Sequence, residues 1–249
     1  MFEDKYDRII YFDTETTGLS YKTNCITELA YAVVEKNKPI QYFDDYIKIN
    51  ENQSYEAKAE EITGITREFL RLHGKNATEV MSKFHKAMFE SPKTLMCAYN
   101  AAFDISFITN EFARANLHYN YQVDFLDPCT AYHDIAPSPH KLTNAIQFFN
   151  IENVQNSHNA LDDVKALLAV TEKMQQQYGN LNKYINLMGY YGTFDQIECP
   201  WIMYVPFSIK NKIPLYDAYN YYVSSQNVAR SIDEATAERP ICTTKTTSV

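Results

Sequence analysis

RIIYFDTETTGLS, Arg8 to Ser20, is the stretch whose reading decides the fold. Arg8 to Glu15 reads as a strand, rich in β-branched and aromatic residues, and TTGLS reads as the turn that ends it. Side chains alternate faces along a strand, so Asp13 and Glu15 share the face of Ile9 and Tyr11 just where the strand stops. Two carboxylates therefore point into one place. An isolated D-x-E at a strand end more often faces solvent, so its meaning depends on the rest of the chain.

Working outward, ITELAYAVVE (Ile26 to Glu35) and QYFDDYIKI (Gln41 to Ile49) are two more strands, and short connections make the three an antiparallel meander. ATEVMSKFHKAMFES places Val80, Phe84 and Met88 at four-residue steps, the spacing of a core-facing helix. A strand, TLMCAY, follows. Ile105, Ile108, Phe112 and Ala115 then fall on one face of a helix over Ala101 to Asn116, before a strand at VDFLD (Val123 to Asp127) and helices around Leu142 to Phe149 and Leu161 to Met174. Strands first pair and then alternate with helices. That order predicts an α/β fold with a mixed sheet of about five strands, the later ones parallel and covered by helices.

Two further segments place acids at the starts of helices. In YNAAFD, Asn100 reads as an N-cap and Asp104 falls in the first turn, where favourable interaction with the helix dipole, worth up to about 1 kcal/mol, would be reason enough for an acid. In SHNALDDVKALLAV, His158 precedes a helix whose buried sector is Ala160, Leu161, Val164, Leu167 and Leu168. Asp163 sits at the margin of that sector, whereas Asp162 groups with Lys165, Ala169 and Lys173 on the solvated side. An acid turned toward apolar surface needs a partner, and a cation shared with other carboxylates is one.

Composition narrows the function classes. The chain has 249 residues, 45% hydrophobic and 22% charged, and no apolar run approaches the roughly 20 residues of a membrane span. Its start lacks a basic region ahead of an apolar one, so no cleaved signal is expected and a cytoplasmic location is the default. Five scattered cysteines without ligand spacing read as reduced, mostly buried thiols. A formal charge of -8 argues against coating long stretches of nucleic acid but suits an enzyme that reaches phosphate through bound cations. One domain is expected over residues 1–177, a small unit dense in Asn, Tyr and Pro over 178–230, and a disordered tail over 231–249.

Together the three acidic segments resemble the motifs of the DnaQ-like DEDDh exonucleases, a family that includes the proofreading subunits and domains of bacterial DNA polymerases. FDTETTG, Phe12 to Gly18, is similar to its first motif, Tyr99 to Asp104 to its second with Tyr99 in place of the usual histidine, and His158 with Asp163 to its third. EITGIT (Glu61 to Thr66) and HKLTNAIQFFNI (His140 to Ile151) are lesser echoes, and the resemblance spans about Ile9 to Met174. It implies an RNase H-like fold and 3'-to-5' hydrolysis of phosphodiesters by two Mg2+ or Mn2+ ions. In that scheme Asp13 bridges both ions, Glu15 and Asp163 hold the ion that carries the attacking water, Asp104 serves the other, and His158 is the general base. Thr16, Gly18, Leu19, Asn100 and Phe103 would lie along the terminal nucleotide, Leu19 wedging against its base and Phe103 stacking on it.

The implied substrates are 3' ends of single-stranded nucleic acid, with DNA placed ahead of RNA. A polymerase or other protein could engage the C-terminal unit. An exoribonuclease is one competing reading, since the motifs do not report on the 2'-hydroxyl. The other is a non-catalytic binding module of the same fold, which would have no need of the base.

Overall fold

The first strand, β1 (Arg8–Thr16), is the centre of the molecule, with β2 (Ile26–Glu35) on one side and β4 (Thr94–Cys97) on the other. The computed structural model describes residues 2–117, 123–152, 154, 159–179, 181–191, 202–208 and 214–215. With β3 (Gln41–Tyr46) and β5 (Asp124–Leu126) the five-stranded sheet runs β3-β2-β1-β4-β5. The expected meander is there, since β1, β2 and β3 pair antiparallel, and β4 and β5 add in parallel beyond it. The parallel strands need crossovers, supplied by α3 (Ala77–Phe89) and α4 (Ala101–Arg114).

Alternation along β1 divides the core. Ile9 and Tyr11 point toward α7 (Ala160–Tyr178) and pack with Val164, Leu167 and Val170. Ile10 and Phe12 point the other way, into a layer with Phe84 of α3 and Ile105 and Phe112 of α4. Each helix therefore buries its apolar stripe on its own side of the sheet, and the acids at the end of β1 inherit the same division.

Three short helices, α1 (Ala57–Thr63), α2 (Arg67–His73) and α5 (Pro128–Ile135), occupy stretches where periodicity gave no signal. α1 buries no residue and α2 only Leu70, so neither has a stripe to detect. Capping holds them instead. The Thr66 hydroxyl oxygen accepts the Phe69 N–H at 3.0 Å, and Gly64, at φ 68°, ends α1 in a left-handed turn. The strand expected to reach Ile49 ends at Tyr46, because the chain there leaves the sheet and Ile47 pairs with Lys75. α6 (Leu142–Phe148) lies where the sequence placed it.

Beyond α7 a 3-10 turn, Leu181–Tyr184, leads into β6 (Leu187–Tyr190), which pairs in parallel with β7 (Met203–Pro206). Leu181, Tyr184 and Leu187 are buried in the α7-side core. Asn186 fastens this segment to β5, accepting from the Phe125 N–H and donating to Asp124 Oδ1, each at 2.8 Å. At Gly189 a side chain would fall 1.9 Å from the Phe207 ring, so only glycine lets that ring seat. The expected tail, 231–249, lies outside the described residues. Cys25, Cys97 and Cys129 are buried free thiols, and among the described residues no helix is long and apolar enough to cross a membrane.

Candidate active site

Asp13 and Glu15 leave β1 on the face covered by α7, half-buried at the end of the strand. The third acid arrives on the first turn of α7. Asn159 caps that helix, its Oδ1 accepting the Asp162 N–H at 3.3 Å, and the turn carries Asp163 inward. One carboxylate oxygen each from Asp13, Glu15 and Asp163 lies within 4.8 Å of the other two. The neighbouring acids of α7 part as helical geometry requires: Asp163 is 6% exposed, while the Asp162 side chain is 39% exposed and pairs with Lys165 at 3.0 Å.

Asp104 comes from the opposite layer. It sits in the first turn of α4, buried, and its Oδ1 accepts both the backbone N–H of Thr14 at 3.0 Å and the Thr14 hydroxyl at 2.7 Å. Asp104 thus abuts the same strand end without joining the group of three. Asn100 holds the N-cap position of α4 but, contrary to expectation, its side chain makes no capping bond. The tight turn out of β4 puts it at φ 62°, a conformation asparagine tolerates, and its backbone N–H donates to Asp127 Oδ1 at 2.9 Å.

The residues expected along a substrate separate into supports and a rim. The Thr16 hydroxyl, buried, donates to the Gly18 carbonyl at 2.7 Å and closes the turn. A side chain at Gly18 would meet Glu56 Oε1 at 2.1 Å and Asn24 Nδ2 at 2.6 Å, so that side of the backbone is already filled by the protein. Leu19 projects from the turn with 81% of its surface exposed. Phe103 is partly buried, its ring 4.9 Å from that of Phe107 in the α4-side core. The Tyr99 hydroxyl donates to the His140 carbonyl at 2.8 Å, away from the acids. His158 lies outside the described residues.

The acids make a strained electrostatic group. Burial, and then Asp104, Asp163, Glu15 and Glu28, push the Asp13 carboxyl well above its ordinary range. Glu15 is pushed up to about 8 by burial and then by Asp163, Glu28 and Asp104. Burial raises Asp104 to about 7 even though the Thr14 bonds favour its charged form. These groups cannot all ionise near neutral pH unless positive charge joins them. An all-carboxylate set of oxygens suits hard divalent cations such as magnesium or manganese.

Two further buried acids escaped the sequence reading. Glu28 of β2 stands directly opposite Glu15 and is wholly buried, and burial with nearby Asp44 pushes its carboxyl up to about 8. Asp127 accepts from the Asn100 and Cys129 backbone N–H groups and from the Thr130 hydroxyl. Both left a signal: Glu28 is an acid inside the apolar run ITELAYAVV, and Asp127 stands directly before Pro128 at a strand-to-helix junction.

Known proteins with related sequences include DNA polymerases. The PolC-type DNA polymerase III of Lactococcus lactis is 34% identical over 117 residues, 47% of this chain and 7% of that one. That of Bacillus cereus is 28% identical over 235 residues, 90% of this chain and 16% of that one. The chain therefore spans less than a fifth of the length of either relative. Among solved structures, the zinc-bound complex of E. coli ExoI with single-stranded DNA superimposes with a TM-score of 0.62 at 20% identity, covering 72% of this chain and 42% of that one, a likeness of fold. The model of the RNase_T family, described as "Exonuclease", matches residues 10–171, a span that holds Asp13, Glu15, Asp104 and Asp163 alike, and on that match the chain belongs to the exonuclease family.

Proposed function

We propose that the protein removes nucleotides from the 3' end of single-stranded DNA with the help of two divalent cations, Mg2+ or Mn2+. The observation that carries this reading is the convergence of Asp13, Glu15 and Asp163 oxygens within 4.8 Å, on a family whose members are exonucleases. Asp13, Glu15 and Asp163, with Asp104 from the other layer, would hold the cations. Bound there, two such ions activate water and neutralise charge on the phosphate.

The chain's own groups do the rest. Thr14 fixes one oxygen of the Asp104 carboxylate with two hydrogen bonds. His158, carried into the role by the family motif, would take the proton of the attacking water, because an imidazole is neutral near pH 7 and can accept it. Leu19, apolar and exposed on the turn after the acids, would press against the terminal base. Phe103, its ring 4.9 Å from that of Phe107, would stack on the same base.

The choice of DNA is supported by the solved relative that holds single-stranded DNA and by matches that lie within DNA polymerases. Those matches also support work beside a polymerase, trimming the end it extends. Incubation of the pure protein with 3'-labelled and 5'-labelled single strands of DNA and of RNA, with magnesium or with a chelator, tests the reading. The expected result is magnesium-dependent release of the 3' label from DNA as mononucleotide. Absence of release from every strand, or release of the 5' label first, would overturn it.

A further inference from the structure

The helix that delivers Asp163 is held to the sheet by an acid that is not one of the three whose oxygens converge. Glu28 Oε1 accepts the Asn159 side-chain amide at 2.9 Å. The same Asn159 amide reaches the Tyr46 hydroxyl at 3.4 Å. Glu15, Glu28 and Tyr46 are register partners across β1, β2 and β3, so they form one row on the face that α7 covers. A wholly buried carboxylate is costly unless a donor meets it, and here the Asn159 amide at the cap of α7 is one that does.

We infer that Glu28 is a positioning residue for the metal site: it moors the first turn of α7 to β2 and thereby fixes how far Asp163 stands from Asp13 and Glu15. The lever is short. Asp163 is three residues past Ala160, roughly 4.5 Å along the axis, so a shift at the mooring reaches it undamped. Rotation matters as much, because each residue turns the helix by roughly 100° and a slip of one position would present Asp162 in place of Asp163. The helix of Asp104 has a similar mooring, since Asp127 accepts the Asn100 N–H at its start. Asp127 also caps α5, however, so its replacement would disturb two helices, and Glu28 is the cleaner subject.

The inference rests on the metal reading above and is tested by Mn2+ binding, measured by calorimetry on the whole chain, beside its thermal melt. Glu28→Gln removes the charge but keeps an oxygen acceptor of the same reach, whereas Glu28→Ala removes both. A difference between them therefore reports geometry rather than charge. The expected result is Mn2+ affinity within about threefold of the parent for Glu28→Gln and at least tenfold weaker for Glu28→Ala, with both variants folded. Equal affinity in the two variants, whether both weakened or both unchanged, overturns the mooring role. If Glu28→Ala does not fold, Asn159→Ala loosens the same tie from the helix side, and parent-like Mn2+ affinity in that variant overturns it too. Failure of the parent chain to bind Mn2+ at all would refute the metal reading itself, and the inference with it.

Discussion

Thr14 and Asp104 are joined twice: the backbone N–H and the hydroxyl of the threonine both donate to a single oxygen of the aspartate, at 3.0 Å and 2.7 Å. Hydrogen bonds to a charged group are worth about 1.5 to 3 kcal/mol each. Thr14→Val keeps the shape and the backbone bond but removes the hydroxyl. We expect kcat for 3'-end release to fall about tenfold to a hundredfold, the fold-change equivalent to that energy, with KM little changed. Steady-state kinetics on a labelled single strand would show it, and undiminished kcat would mean the hydroxyl bond is dispensable.

The partition of the adjacent acids on α7 leads to a sharper contrast. Asp163→Asn is expected to lower activity by a factor of about a thousand or more, in the range seen when a group central to transition-state stabilisation is lost. Asp162→Asn weakens a surface pair with Lys165, worth about 0.3 to 0.5 kcal/mol, and is expected to retain most of its rate. Comparable losses in the two would mean that Asp162 also acts.

Stability without metal should run against pH in a definite direction. Glu15, Glu28 and Asp104 ionise near pH 4 in an unfolded chain but only at about 7 to 8 in the fold. Between those limits the folded state holds the extra protons. The stability they contribute is therefore complete below about pH 4 and is lost as pH rises toward 8. The charged groups that crowd them from β1, β2, β3, α4, α7 and the cap of α5 are themselves acids: Asp13, Asp44, Asp104, Asp127, Asp163 and Glu28. In chelator, Tm should fall from pH 5 to pH 8, and added magnesium should restore more of it at pH 8 than at pH 6. A flat profile in chelator would contradict the crowding of these acids.

Leu19 and Phe103 should part company when truncated. Leu19→Ala, at an exposed site, is expected to change stability by less than about 0.5 kcal/mol while raising KM for single-stranded DNA several-fold. Phe103→Ala removes a ring packed on Phe107 and should lower stability by about 1 to 3 kcal/mol. Melting curves and KM values for both variants separate a rim residue from a packing residue.

The sheet and the face of its acids were legible because they follow from alternation. Ile9, Tyr11, Asp13 and Glu15 needed only a two-residue period, and the choice between Asp162 and Asp163 only a helical one. What escaped has no period. α1 and α2 are held by Thr66 and Gly64 at their ends rather than by buried stripes, and the Asn100 cap failed because a left-handed turn redirected its side chain. Glu28 accepts the Asn159 side-chain amide and Asp127 the Asn100 backbone N–H, each from a segment distant in the chain, and such pairings exist only once the helices have docked.

The alternation that splits β1 between two layers also bears on how this segment can change over generations. Within Asp13-Thr14-Glu15 the outer residues serve one layer and the middle residue clips Asp104 in the other. Inserting or deleting a single residue between Arg8 and Thr14 would turn the acids away from Asp163 and Thr14 away from Asp104 in one stroke. Length changes should therefore be tolerated in the turn from Leu19 to Thr23 and rejected along the strand, a pattern that a library of one-residue insertions would display directly.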